Sequence, residues 1–297
     1  MPAHATELVL ITLGAAIING ALGYGFSSIT VPLALLFMSN RTLNPALVII
    51  EVPLNAYVLW VNRRAIPEIW SRFLPMVVGL VPGVVLGTLL VSRLNPDWLK
   101  LNTYAILLPL ILMQAAGFRR PIRSEQRIAV GFGGGVGLLY SVTTISGPPL
   151  AMWLNNQGLA RRDFRAALGL VRLAESSLTA AAYLWGGLFT AQSVALAPWI
   201  VPSVAIGVPI GAQLIQRIRP ETFRRVCMSF DAWIVAFGLS KLLHDLRVVP
   251  TNSAYLVLLA VIVLDAWLLY RFFGRPEVVS TGPSPTGGLS DSRPTVD

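Results

Sequence analysis

The sequence predicts an all-α polytopic membrane protein. It should contain two inverted-topology repeats, each opening on a broken or re-entrant first helix, plus one extra C-terminal transmembrane helix. Three observations predict this. Of 297 residues, 55% are hydrophobic and only 12% charged, against about 25% charged in a soluble domain. A hydroxyl-rich segment that interrupts an apolar run near the start recurs in the second half. The basic residues of corresponding loops also have opposite bias, as expected of halves with opposite orientation in a bilayer.

Taken in order, apolar segments run over 7–22, 26–38, 43–61, 73–92, 98–118, 127–140, 144–154, 164–186, 192–216, 223–244 and 253–273. Runs of about 20 residues cross a hydrocarbon core of about 30 Å. A soluble helical bundle would need a polar face on every helix, and these mostly lack one. Segments 26–38 and 144–154 are too short to span comfortably, so they read as half-helices or arms of re-entrant hairpins. The first repeat is expected over 7–118, the second over 126–246 and the extra helix over 252–273. The tail, 276–297, is rich in Pro, Gly, Ser and Thr, the composition of a disordered and here cytoplasmic segment.

The repeat itself rests on three matches. Ser27-Ser28-Ile29-Thr30-Val31-Pro32 recurs 116 positions later as Thr143-Thr144-Ile145-Ser146-Gly147-Pro148. Gly79, Gly83 and Gly87 recur 124 positions later as Ser203, Gly207 and Gly211. Arg93-Leu94-Asn95-Pro96-Asp97 recurs, also 124 later, as Arg217-Ile218-Arg219-Pro220-Glu221. The change of offset predicts a few inserted residues between matches. Small residues at every fourth position let helix backbones approach closely in lipid, where apolar burial cannot drive association. The run Gly131-Phe132-Gly133-Gly134-Gly135-Val136-Gly137 follows no strand, so it reads as close packing of a broken helix rather than a phosphate-binding loop.

Loop charge orients the halves. The loop at 62–72 carries Arg63, Arg64 and Arg72, while its partner at 187–191 carries no basic residue. Conversely, the loop at 39–42 carries Arg41 alone, and its partner at 155–163 carries Arg161 and Arg162. If each broken element enters and returns on one side, the cytoplasmic face holds Arg63, 64, 72, 119, 120, 123, 127, 161, 162, 165, 217, 219, 224, 225, 271, 275 and 293. That is 17 of 23 basic residues, against Arg41, Arg93, Lys100, Lys241 and Arg247 outside and Arg172 within the membrane.

Composition also removes function classes. The net charge of +9 is spread over short loops rather than along a stripe, so lipid headgroups explain it and nucleic acid is not an expected partner. Cys227 is the one cysteine, and His4 and His244 are the two histidines, so neither an internal disulfide nor a metal cluster is expected. The first six residues carry no Lys or Arg, so the charged start of a cleaved signal peptide is not expected. His244-Asp245 stands without a nucleophile, and no catalytic role or cofactor follows from it. The expected partners are a small anion, membrane lipid, a coupling proton and a second copy of the chain.

Discontinuous helices in corresponding positions of two repeats point to a transporter binding site. A half-helix N-terminus presents unpaired N–H groups and a positive dipole end, which suit an anion. The hydroxyls of Ser27, Ser28, Thr30, Thr143, Thr144 and Ser146 add donors, with Tyr24 and Tyr140 at equivalent places upstream. The bland reading of such hydroxyls is that they satisfy backbone groups freed by the break. Arg172 lies deep in segment 164–186, with Glu175, Ser176 and Thr179 on the same face at i+3, i+4 and i+7. Glu51 and Asn55 fall near the same place in the first half, at an offset of 121. Ionisable groups at membrane depth are costly and functional by default. Arg172 is thus the expected anion counter-charge, assisted by Ser176, with Glu51 or Glu175 carrying a proton. The competing reading is an internal Arg172–Glu175 pair that only joins helices. Asp231 and Asp265 have no repeat counterpart and read as structural pairing or cavity lining.

The duplicated break ending in proline, Gly147-Pro148-Pro149 followed by Asn156-Gln157-Gly158, and the basic stretch Arg161–Arg165 together resemble the TauE/SafE sulfite-exporter (TSUP) family. The resemblance covers about residues 7–246 and implies a multi-pass permease of the bacterial inner membrane. Its implied solutes are sulfite, sulfoacetate and other organosulfonates, or thiosulfate. The first break, Gly23-Tyr24-Gly25-Phe26-Ser27, is bulkier and more hydroxylated than the glycine-rich form usual in that family. The alternatives are an anion channel, which needs a continuous hydrophilic pore, and a permease for a carboxylate.

Overall fold

The computed structural model describes residues 4–116, 125–155, 157, 159, 161–218, 220–249 and 252–274. Every element among them is helical: α1 Ala5–Leu22, α2 Phe26–Ala34, α3 Asn40–Val61, α4 Ile66–Arg93, α5 Pro96–Ala115, α6 Glu125–Thr143, α7 Gly147–Asn155, α8 Arg161–Trp185, α9 Ala191–Val194, α10 Ala197–Leu214, α11 Pro220–Asp245 and α12 Leu256–Phe273. The expected tail 276–297, Arg219, Asn156, Gly158 and residues 117–124, with the basic positions Arg119, Arg120 and Arg123, lie outside the described residues.

Seven described helices are long and apolar enough to cross a membrane: α1, α3, α4, α5, α10, α11 and α12, with α4, α10 and α12 counted together with the short helical turns before them. The α8 helix, 25 residues long, falls short of that apolarity because one face carries Arg172, Glu175, Ser176 and Thr179. All four are buried. A helix with so polar a stripe is stable in lipid only when neighbours cover it, and α8 occupies the middle of the bundle between α3 and α4. Apolar side chains on outer faces, such as Val78, Val85 and Leu89 of α4 and Leu259, Val263 and Trp267 of α12, stay exposed. In lipid these positions bear no hydrophobic penalty.

The packing follows the small residues. Gly79, Gly83 and Gly87 of α4 face the backbones of Val130, Gly134 and Leu138 in α6, and Gly133 and Gly137 answer against Met76 and Leu80. Positions rise together along both chains, so α4 and α6 run parallel. Their counterparts behave alike: Ser203 Oγ donates to the Val9 carbonyl (3.2 Å), and Gly207 and Gly211 of α10 meet Leu13 and Ile17 of α1. By contrast α3 and α8 run antiparallel, with Gly169 against Leu59 and Asn55 against Arg172 and Ser176. The α5 and α11 helices, in which Tyr104 packs on Gly238, pair likewise. One core cluster surrounds α2 (Phe26, Ile29, Val31, Leu47, Tyr104, Val235). Another fills the space among α4, α6, α7 and α8 (Phe73, Met76, Leu80, Trp153, Val171).

Several expectations change. The run 131–137 is not a break: α6 continues through it to Thr143, and its glycines seat the helix on α4. The loop expected at 62–72 shrinks to a 3-10 turn at Arg63–Ala65, because Pro67 at the start of α4 is compatible with a first helical turn. Arg225, expected in a cytoplasmic loop, lies buried inside α11, its Nη2 2.7 Å from Asp265 Oδ1 of α12.

Candidate functional site

Two chain breaks define the centre. Gly23 ends α1 with φ 84°, its N–H bonding the Asn19 carbonyl (2.7 Å), and Gly25 (φ 107°) caps the start of α2. Left-handed backbone is open to glycine without strain. In the second half Thr144, at φ 57°, occupies that conformation. The Ser146 carbonyl accepts the first helical bond of α7, from Leu150 (3.1 Å). Pro148 and Pro149 sit in the first turn, where a missing N–H costs nothing. The breaks therefore correspond as Gly23-Tyr24-Gly25 to Thr144-Ile145-Ser146, an offset of 121 rather than the 116 of the hydroxyl motif. Helix α8 then follows α3 at the same offset.

This shift separates the hydroxyl clusters. Ser27, Ser28 and Thr30 sit inside α2, whereas Thr143 closes α6, and Thr144 and Ser146 lie in the gap. Tyr24 and Tyr140 are consequently not equivalent: Tyr24 lies in its break, and Tyr140 in the last turn of α6. The two breaks still meet, because Tyr24 packs directly on Gly147.

Around them the structure gathers a polar network from five elements. Glu51 of α3 accepts a hydrogen bond from Ser27 at one oxygen and from Tyr140 at the other (2.6 Å). Arg172 Nη2 lies 3.3 Å from Glu51 Oε1, and its Nε lies 3.9 Å from Glu175 Oε1. Glu175 accepts from Ser146 at the second break. Asn55 Nδ2 donates to the Arg172 carbonyl (3.3 Å) and to Ser176 Oγ (3.4 Å). Glu51 and Glu175 are 0% exposed and Arg172 is 3%, so this is a dry cluster with two carboxylates around one guanidinium. Arg172 Nε and Glu175 Oε2 have no hydrogen-bond partner. Positions related by the 121 offset touch each other, Glu51 with Arg172 and Asn55 with Ser176.

Other expected site residues stand outside it. Thr143 donates to the Leu139 carbonyl and accepts from the Ile145 amide, and Thr144 donates to the Thr143 carbonyl. Those two hydroxyls satisfy the broken backbone. Thr30 is buried with its hydroxyl unpartnered. Ser28 and Tyr24 border a separate small cavity with Gln114 and Asp231. Asn55 was legible as a polar counterpart of Ser176. Gln114 had no signal, since an amide near a helix end looks like any surface residue.

A larger cavity, about 480 Å³, leads toward the network. Its walls come from α1, α3, α8 and α10, and include Asn19, Gly23, Leu54, Asn62, Arg165 and Leu168. Beside it, sharing Val61 and Asn62, a second cavity of about 390 Å³ is lined by Arg63, Arg64 and Arg162. Because α3 and α8 are antiparallel, Leu54 and Leu168 mark the inner end, one helical turn before Glu51 and Arg172. The result is a basic mouth beside an apolar corridor that stops one helical turn short of a buried arginine.

A family model described as "Sulfite exporter TauE/SafE" matches residues 8–238. A curated protein of Cupriavidus necator, "Probable sulfite/organosulfonate exporter TauE", is 27% identical over 198 residues, covering 63% of this chain and 72% of its own. No solved structure matches the chain.

Proposed function

The chain belongs to the sulfite exporter TauE/SafE family, and on that premise we propose that it is a secondary permease for small sulfur-containing anions. The solute class is sulfite or an organosulfonate, carried across a bacterial inner membrane. The observation that carries this reading is the basic corridor ending one turn from Arg172, the buried guanidinium between the two breaks. Positive charge at a mouth with low-dielectric walls raises the local concentration of anions. At the far end Arg172 offers an unpartnered Nε–H, and α2 starts with amides that no side chain caps. An anion at the breaks would compete with Glu175 for Arg172 while Ser27, Tyr140 and Asn55 hold Glu51 and the arginine backbone in place. The closed network would open only as substrate replaces a carboxylate, which is the behaviour of a carrier.

The antiparallel contact between positions related by the repeat is what a two-fold axis between α3 and α8, across the helices, would produce. This supports inverted halves with the site on their axis. The turn carrying Arg63 and Arg64 and the start of α8 carrying Arg162 and Arg165 then face the cytoplasm, so the corridor is the cytoplasmic approach.

The deciding experiment is flux in proteoliposomes with labelled sulfite and 2-hydroxyethanesulfonate. Saturable uptake and accelerated exchange are expected, with acetate and lactate competing weakly. Flux that never saturates would replace the carrier by a channel, and stronger competition by carboxylates would reassign the solute.

A further inference from the structure

Asp231 lies at the twelfth position of the 26-residue α11, near mid-membrane, and is 7% exposed. Its Oδ1 has no hydrogen-bond partner. No Lys, Arg or His stands within ion-pair distance of it among the described residues. The other buried acids are engaged: Glu51 and Glu175 with Arg172, and Asp265 with Arg225. Asp231 instead borders a cavity of about 20 Å³, the size of one water. That cavity touches both breaks, through Tyr24, Gly25 and Ser28 on one side and Pro148 on the other.

The groups that face it can be named by element. Helix α11 contributes Arg224 and Cys227, the first break Tyr24, and α5 the uncharged Gln114. From α1 come Ile18 and Leu22, and from α2 Ser28 and Ile29. The neighbouring α12 presents Asp265, which is held by Arg225. Too few oxygens and a guanidinium in the wall disfavour a metal cation. Burial at membrane depth penalises the charged form of a carboxylate that forms no ion pair, even with the Arg224 guanidinium in the same cavity wall.

We propose that Asp231 binds and releases the proton that couples transport to a pH gradient. This role was expected of Glu51 or Glu175. One proton from solution adds to a carboxylate oxygen of Asp231, and one leaves by the same bond. Its charge changes in a cavity shared by both half-helices, so protonation biases how the breaks sit against each other. The proposal rests on the permease reading and adds where the proton goes.

The test uses purified full-length protein in proteoliposomes with 2-hydroxyethanesulfonate, whose charge is constant over the working pH range. Wild type and Asp231→Asn should both catalyse exchange without a gradient. Only wild type and Asp231→Glu should accumulate the sulfonate against its gradient when a pH gradient is imposed, and Asp231→Asn should lose at least tenfold of that accumulation. Wild-type accumulation by Asp231→Asn overturns the proposal. Loss of exchange as well as accumulation also overturns it, since Asp231 would then serve the carrier's framework. If wild type exchanges no sulfonate, the permease reading itself falls. Infrared pH-difference spectra give a readout independent of transport and of the Asn variant's folding. Wild type should show a protonated-carboxyl band that Asp231→Glu shifts, and absence of that band overturns the proposal.

Discussion

At the scale of single residues, Arg172 holds two acids, each of which also accepts from a serine at one of the breaks. Arg172→Ala should reduce anion affinity by about 2–5 kcal/mol, read as loss of the thermal shift that a sulfonate gives wild type. Arg172→Lys keeps the charge but not the planar fork, so it should recover only part of that shift. If the arginine merely neutralises acids, Arg172→Leu with Glu51→Leu and Glu175→Leu should transport as wild type. Normal flux in that triple variant would remove Arg172 from the site. The Arg225–Asp265 pair makes a contrasting case, since it lies away from both breaks and joins α11 to α12. Asp265→Ala should destabilise by about 3–5 kcal/mol by stranding a buried guanidinium, and Asp265→Leu with Arg225→Leu should restore most of it. Unfolding midpoints in detergent measure both.

At the scale of elements, the parallel contacts α4–α6 and α1–α10 depend on residues without bulk. A Cβ on Gly83 would run into the backbone of Gly134, which cannot rotate aside. Gly83→Leu should therefore cost more than the about 1–3 kcal/mol of an ordinary overfilled core, visible as loss of monodisperse protein on purification. Gly14, whose outward space is open, is the control, and Gly14→Ala should leave stability unchanged. Most segment boundaries were legible to within a few residues, because the bilayer imposes the apolar length of a spanning element, although α4 starts at Ile66 rather than at 73. The register between halves was not. The sequence matched hydroxyls at offset 116, but helix ends are placed by backbone geometry, and Thr144 adopts the left-handed turn that Gly23 provides in the first half. Nothing in side-chain identity relates a threonine to a glycine.

At the scale of the whole molecule, α8 fixes which loops share a side. Its 25 residues extend about 37 Å at 1.5 Å per residue, so the chain before Arg161 and after Trp185 emerges on opposite faces. In a Cys227→Ser background, Glu68→Cys should react with an impermeant maleimide only from the cytoplasm, and Gln192→Cys only from outside. Labelling of both from one side would overturn the inverted arrangement. The proposed inverted arrangement would account for the contacts of Glu51 with Arg172 and Asn55 with Ser176, since a two-fold across the helices brings each position near its own counterpart.

The sequence alone determined the membrane class, the rough ends of most helices, and the polar faces that had to be hidden. Each of these follows from transfer of side chains and backbone out of water, a cost read residue by residue. It also marked Arg172, Glu51 and Glu175 as ions with no place in lipid. Only the tertiary structure decided their partners: Arg172 joins Glu51 from a helix 121 residues away, Ser27 and Ser146 each reach a carboxylate, and Asp231 Oδ1 is left with none. Pairing depends on which helix faces meet, and that is set by small-residue contacts and crossing directions distributed over the whole bundle.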